Sequence, residues 1–273
     1  MPYFDGSTGK VYFRAWRAAE PRSAAVIFLH GFGEHSGLYH RFGDALTAQG
    51  IDLWALDEIG HGLTDGDRAV IRSIDDLVHN ARLLTALADA AGPGGPLLLA
   101  GHSLGAAAAA VTVSRDPAAY RGLIVSGAPL SPLEWVNELA ADGGELSLDP
   151  ADLSADPFYL DEIQNDPLAF TSATGAQSLL RTLPPAWDEL GRDFGPTTTL
   201  PVLFVHGSQD LIVPVSVARD WAARLPSGRL AEFAGARHDV LNETVHREVA
   251  TVITDFVRLL ADTAPAVPAG QTA

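Results

Sequence analysis

Residues 97–113 read Leu-Leu-Leu-Ala-Gly-His-Ser-Leu-Gly-Ala-Ala-Ala-Ala-Ala-Val-Thr-Val, and this stretch decides the fold. Leu97 to Ala100 is a short apolar run without polar alternation, as expected of a strand buried on both faces. It passes without a spacer into Gly101-His102-Ser103-Leu104-Gly105, and Ala106 to Val113 continues as an alanine-rich helix. Strand, G-x-S-x-G, helix is the context in which a sharp turn thrusts a serine out of a sheet edge. Small residues are needed around that serine because a Cβ would clash in the turn. The helix start then aims free N–H groups at negative charge developing above the hydroxyl. A bland glycine turn is the competing reading of the five residues; the strand before and the helix after favour a nucleophile at Ser103.

Working outward, Ala24 to Leu29, Ile51 to Leu56, Gly122 to Val125 and Pro201 to Val205 repeat the short apolar pattern, with helix-period segments between them. Such alternation predicts an α/β chain with a parallel sheet and helices on both faces. The clearest helix is Ser73 to Ala91, where Ile74, Leu77, Val78, Ala81, Leu84, Leu87 and Ala88 share a face. Ser73 with Asp76 forms a capping box at its start, and Gly92-Pro93 stops it. From Pro129 to about Gly195 the strand rhythm fails, and Pro, Asp and Gly mix with Trp135, Phe158, Tyr159, Phe170 and Trp187. So long a segment inside one domain predicts an inserted cap with short helices of its own. A last helix is expected from about Thr244 to Leu260. The organisation read from the chain is thus a core in two parts, 1–128 and 196–262, a cap at 129–195, and a disordered tail at 263–273 rich in Ala, Pro and Gly.

The chain has 273 residues, 47% of them apolar, and a formal net charge of -16. That size accommodates one large α/β domain with an insertion, and that charge opposes phosphate backbones, so no nucleic-acid partner is expected. Contact with lipid is limited to a transient touch through the cap. With no cysteine, thiolate nucleophiles, disulfides and thiolate metal sites are all excluded. The first ten residues lack a basic segment leading into an apolar run, and no apolar stretch reaches 18 residues, so a cytoplasmic location is expected.

A serine hydroxyl needs a base, and the base an orienting carboxylate. Asp210 follows the strand Pro201 to Val205 through His206-Gly207-Ser208-Gln209, in a loop at the carboxyl end of the sheet, where ligands and catalytic groups collect. After Gly122 to Val125 the residues Ser126-Gly127-Ala128 offer no acid. Of nine histidines, His238 lies between a late strand, Leu230 to Phe233, and the last helix, and it is the candidate base. The order Ser103, Asp210, His238 suits this architecture. Asp239 is the alternative acid. His206 and His102 read as structural residues at strand ends, and His79 and His246 as solvated helix positions. Two donors are needed for an oxyanion: Leu104 N–H, next to the nucleophile, and Phe32 N–H, in a turn that Gly31 and Gly33 make approachable. A dinucleotide loop at the same place is disfavoured, since Ser36 stands at the third glycine position and Glu34 would repel a pyrophosphate. No metal is expected, because His30, Glu34 and His35 do not make a helical H-E-x-x-H.

His30-Gly31-Phe32-Gly33-Glu34-His35-Ser36-Gly37-Leu38-Tyr39 resembles the H-G-x-G-E-H-x-x-x-Y of the monoacylglycerol lipase and lysophospholipase branch of the α/β-hydrolase family, with its serine aminopeptidase S33-like members. Asp57 with Gly60-His61-Gly62, the G-H-S-x-G around Ser103, Asn165-Asp166-Pro167-Leu168, and His238 with Asn242-Glu243 extend the resemblance over almost the whole chain. It implies an α/β-hydrolase fold with an inserted helical cap and a cofactor-free carboxylic-ester hydrolase. The substrates so implied are monoacylglycerols or similar single-chain esters, cleaved through an acyl-enzyme on Ser103. Lactone, amide or small-ester hydrolysis, transacylation, and a silent ligand-binding homologue remain alternatives on the same fold. Glu58-Ile59 stand where relatives often carry His-Arg, and Thr64 where Ser is usual, which puts local loop contacts and substrate charge preference in question.

Overall fold

Apolar runs without alternation become the central strands in a computed structural model that describes residues 2–92, 94–141, 145–174 and 177–263. In chain order the body begins β1 (Tyr3–Asp5), β2 (Lys10–Trp16), β3 (Ala24–Leu29), α1 (His40–Thr47), β4 (Ile51–Leu56), α2 (Ile74–Ala90), β5 (Leu97–His102), α3 (Leu104–Arg115) and β6 (Leu123–Ser126). The chain then leaves the sheet for α4 (Glu134–Ala141), β7 (Glu145–Ser147), α5 (Pro150–Leu153), α6 (Pro157–Asn165), β8 (Ser172–Thr174) and α7 (Gln177–Asp193). It returns as β9 (Val202–Gly207), α8 (Val215–Arg224), β10 (Gly228–Phe233) and α9 (His246–Asp262).

Eight strands form one sheet in the order β1-β2-β4-β3-β5-β6-β9-β10. Pairs from β4 through β10 are parallel, and β1 and β2 join the β4 edge antiparallel. Every residue of β3, β4 and β9 is buried, as a strand with helices on both faces requires. β1 and β2 escape the sequence reading because strands at this margin of the sheet are only partly covered: of Lys10–Trp16, Val11 alone is fully buried. Helices α1 and α9 pack on each other, as do α2 and α3, so two helical layers enclose the sheet.

β5 is central, and α3 lies hard against it. Leu104 to Val113 are all buried, and the five alanines keep the helix thin enough to approach the sheet. A Cβ on Gly105 would stand 2.2 Å from the Leu29 carbonyl oxygen, and one on Gly101 would stand 2.3 Å from the Gly105 carbonyl oxygen. Both glycines are therefore dictated by packing.

α2 begins as expected, with Ser73 Oγ accepting the Asp76 N–H at 3.4 Å. The Asp76 carboxylate meets the Ser73 hydroxyl at 3.4 Å and not its backbone N–H, so the capping box is half made. The segment between β6 and β9 is less uniform than short helices alone. β7 and β8 pair as an antiparallel ribbon, and α7 is 17 residues long with Pro184 and Pro185 inside it. An interior proline costs a helix about 3 kcal/mol. Burial of Leu179, Leu183, Ala186, Trp187 and Leu190 against α2, α3 and α4 outweighs that cost. Pro93 and the tail beyond Thr263 lie outside the described residues. Among those described, no helix is long and apolar enough to cross a membrane.

Candidate active site

Ser103 stands at the junction of β5 and α3 with φ 49° and ψ −121°. Among the described residues only Ala69 shares a positive φ without being glycine. Such a conformation costs about 1–3 kcal/mol and persists only where the surroundings over-determine it. Here Ser103 N–H extends the ladder to Ser126 O at 2.9 Å, while its carbonyl accepts the Ala106 N–H at 2.9 Å and the Ala107 N–H at 3.2 Å. The strand before and the helix after thus hold the turn from both sides.

Asp210 and His238 are brought together from the loops after β9 and β10. His238 Nδ1 lies 2.8 Å from Asp210 Oδ2, while Asp210 Oδ1 accepts the Ile212 and Val213 N–H groups at 2.9 and 2.8 Å. Asp239, the alternative acid, points away: its oxygens take the Leu241 N–H at 3.1 Å and Asn242 Nδ2 at 2.9 Å. Burial by itself would raise Asp210, but the His238 charge and hydrogen bonds from His206 and His238 hold it well below the usual carboxylate range. Burial disfavours charge on His238 as well, yet Asp210 overcomes this and raises it above 6.5. His206 does more than end a strand. Its Nε2 lies 3.1 Å from the same Asp210 oxygen and 2.8 Å from Val213 O, so it braces the acid alongside His238. Its place four residues before Asp210 was visible in the sequence, but a β-strand end does not reveal which way its last side chain turns.

Ser103, Phe32, Leu104 and His238 line one cavity. Among the described residues neither the Phe32 nor the Leu104 backbone N–H donates to a protein acceptor, which leaves both for a ligand oxygen. Ser103 Oγ has no protein hydrogen-bond partner among the described residues. The remaining wall is mostly apolar, with Trp135, Leu148, Phe170, Leu179 and Ile212 among its residues and Glu34, His102 and Thr171 as its polar members.

The chain is similar to known proteins over most of its length. The serine aminopeptidase family S33 matches residues 20–245. The chain belongs to this family of α/β hydrolases. It is 26% identical to the monoacylglycerol lipase of Mycolicibacterium smegmatis over 91% of this chain and 92% of that one. To the Homo sapiens monoglyceride lipase it is 28% identical, covering 90% and 88%. Of solved structures, Paleococcus ferrophilus monoacylglycerol lipase superposes with TM-score 0.74 at 24% identity, covering 92% of this chain and 99% of that one. A soluble variant of Saccharomyces cerevisiae monoglyceride lipase with a substrate analog gives 0.80 at 20%, covering 94% of each.

Within this S33 hydrolase the other singled-out residues mostly hold loops. Asp57 Oδ1 accepts the Ser36 N–H at 2.8 Å and also its hydroxyl, and Oδ2 accepts the Leu63 N–H at 2.9 Å. Thr64 Oγ1 donates to Asp57 O at 2.7 Å and accepts the Tyr12 N–H at 2.9 Å, a bridge a serine hydroxyl would make equally. His30 Nε2 accepts the Glu58 N–H at 2.8 Å, and burial lowers His30 to about 3, so the ring is neutral. The Glu58 side chain does not line the cavity, so it sets no charge preference there. It is 1% exposed and neither oxygen has a partner, and burial, with Asp57 nearby, raises it to about 8. His79 is exposed, whereas His246 is half-buried and its Nδ1 lies 2.9 Å from Glu243 O, so it closes a turn and is not freely solvated. Of the inserted segment's aromatics, Trp135 and Phe170 line the cavity, Tyr159 and Trp187 are packed inside, and Phe158 is half-exposed. Glu34, His102 and Asp239 offer one ligand atom each within 4.8 Å of one another. Hydroxyl and N–H donors already point at both Glu34 oxygens, a pattern that does not suit a cation.

Proposed function

We propose that this hydrolase is a serine carboxylic-ester hydrolase acting on monoacylglycerols or similar single-chain esters. The observation that carries the reading is the strained Ser103 on one cavity with Phe32 and Leu104, whose N–H groups have no acceptor among the described residues, and with His238, which pairs with Asp210 at 2.8 Å. His238 takes the Ser103 proton, the alkoxide attacks the ester carbonyl, and Phe32 and Leu104 N–H groups stabilise the oxyanion. The alcohol leaves with the proton from His238, and water then releases the acid by the same steps. The names of the similar lipases favour a glycerol monoester, and 129–195, as a cap above Ser103, would admit one acyl chain more readily than three. The test is a rate panel over monoacylglycerols, lysophospholipids, p-nitrophenyl esters and lactones, with fluorophosphonate labelling at Ser103.

Because the base must be neutral and Asp210 raises His238, kcat/KM should climb with pH along a limb centred above 6.5, and EDTA should leave it in place. A limb centred below 6, or zinc-reversible loss in EDTA, would remove His238 from that role.

A second reading, short-chain ester hydrolysis, is favoured by volume. The cavity measures about 40 Å³, against roughly 300–1,000 Å³ for ligand pockets. Trp135, Leu146, Leu148 and Ile212 separate it from an outer groove of about 380 Å³ that reaches Leu139 and Leu211. An acyl chain beyond acetate needs that wall displaced, and Trp135 holds it by donating its indole N–H to Ile212 O at 2.9 Å. Trp135→Ala should therefore raise the octanoate-to-acetate ratio of kcat/KM about tenfold or more, each buried methylene being worth about 0.8 kcal/mol. An unchanged ratio would show that the acyl chain does not use this route.

A further inference from the structure

Beneath the oxyanion turn lies a polar cluster that the mechanism above does not use. Glu34 is 3% exposed and Asp239 fully buried, and their oxygens fall within the 4.8 Å group shared with His102. Glu34 Oε2 accepts the Gly31 N–H at 2.8 Å and the Tyr39 hydroxyl at 2.6 Å, and Oε1 accepts the Tyr159 hydroxyl at 2.6 Å. Glu34 thus accepts three donors, as a carboxylate would. Among the described residues neither acid makes an ion pair with Arg or Lys, and two buried anions at this separation repel strongly.

Tyr39 shows where a proton resides. Its Oη is 2.6 Å from Glu34 Oε2 and 3.4 Å from Asp239 Oδ2, but a phenol has one proton to give. The short contact takes that proton, so the longer one is a repulsion between lone pairs unless Asp239 carries a hydrogen of its own, directed at Tyr39 Oη. Asp239 Oδ2 can carry it while still accepting Asn242 Nδ2 at 2.9 Å.

Resting on the esterase reading, we propose that Glu34 and Asp239 form a proton-sharing carboxyl pair that positions the oxyanion turn. Glu34 fixes the Gly31 peptide, hence the Phe32 N–H beyond it; Asp239 ties in the loop of its neighbour His238; Tyr159 bolts α6 to both. All are positioning residues and none touches the reacting atoms. The titratable groups facing the pair are Tyr39 from the loop before α1, Tyr159 from α6, His102 from β5 and His238. Burial raises Tyr39 and Tyr159 well above 10 and lowers His102 to about 4. These three are neutral near pH 7 and cannot offset a second negative charge; His238 can do so only while it is protonated, the state in which it cannot act as the base. Burial raises Glu34, with Asp239 adding to it, and raises Asp239 against its Asn242 hydrogen bond.

The test is infrared difference spectroscopy and kinetics in a Glu58→Gln background, which removes the other raised carboxyl. At neutral pH the protein should show the C=O stretch of a protonated carboxylic acid, and Asp239→Asn should abolish it. Glu34→Gln, whose single amide oxygen cannot hold Gly31 N–H and two phenols, should lower kcat at least tenfold with KM within threefold. Tyr159→Phe should lower kcat less, in the same pattern, and keeps the test open should Glu34→Gln not fold. Absence of the acid band at neutral pH, or an undiminished kcat in both Glu34→Gln and Tyr159→Phe, would overturn the inference. Failure of the esterase reading is separate: wild-type protein would then be inactive, or as active as Ser103→Ala, while the band still reports on the proton.

Discussion

Ser103→Ala should lower kcat by about 10⁶ while the protein stays folded, because the alkoxide is the atom that forms the covalent bond and no neighbouring group replaces it. Residual catalysis of about 10³–10⁴ over water should persist, since Phe32 and Leu104 N–H groups and the cavity act independently of the nucleophile. The substitution also puts Ala at φ 49°, which relieves nothing, as Ala and Ser share the Cβ that makes this region costly. Folding should therefore be unchanged, and loss of turnover is attributable to the hydroxyl. The measurement is steady-state hydrolysis of an ester that the wild type cleaves, with a thermal melt alongside. Activity within tenfold of wild type would remove Ser103 from the mechanism, and with it the role assigned to His238 as its base.

Glu58→Gln should stabilise the protein, and more so the higher the pH. A carboxyl moved from 4.5 to about 8 by burial is protonated in both folded and unfolded chains below pH 4.5, so acid conditions carry no penalty. Between those two values the unfolded chain alone gives up its proton, and stability falls as pH rises until Glu58 ionises in the folded state too. The full loss is about 5 kcal/mol above pH 8, at about 1.4 kcal/mol per tenfold change in proton affinity. The amide of the variant keeps the shape and never ionises. The substitution should raise Tm by about 10–20 °C at pH 9, given about 2–4 °C per kcal/mol for a chain of this size, and by little at pH 4.5. An equal shift at both pH values would mean that repacking, and not the carboxyl's ionisation, is responsible.

These two expectations come from different levels of the molecule. Ser103, Leu104, Asp210 and His238 are legible in the chain because each lies within a few residues of a strand end, and strand ends are marked by apolar runs giving way to glycine. The parallel sheet was legible for the same reason: a strand buried on both faces is apolar throughout, as Ala24–Leu29 and Val202–Gly207 nearly are. β1 and β2 were not, since half-covered strands at the sheet margin carry only a weak alternation. α7 was obscured by Pro184-Pro185, whose local cost is overruled by packing that only the folded chain supplies.

What the sequence by itself determined is the α/β architecture and the identity of the candidate nucleophile, base and acid, because these depend on local turn chemistry and chain order. The tertiary structure decided the rest. It placed Asp210, and not the adjacent Asp239, on His238, turned His206 onto the same carboxylate, and buried Glu58 without a partner. It also brought Glu34 against Asp239 and Tyr159 from distant parts of the chain. Direction of a side chain, the shrinkage of a cavity to about 40 Å³ and the proton affinity of a buried acid all depend on atoms that are neighbours in space and far apart in sequence, and no local pattern encodes them.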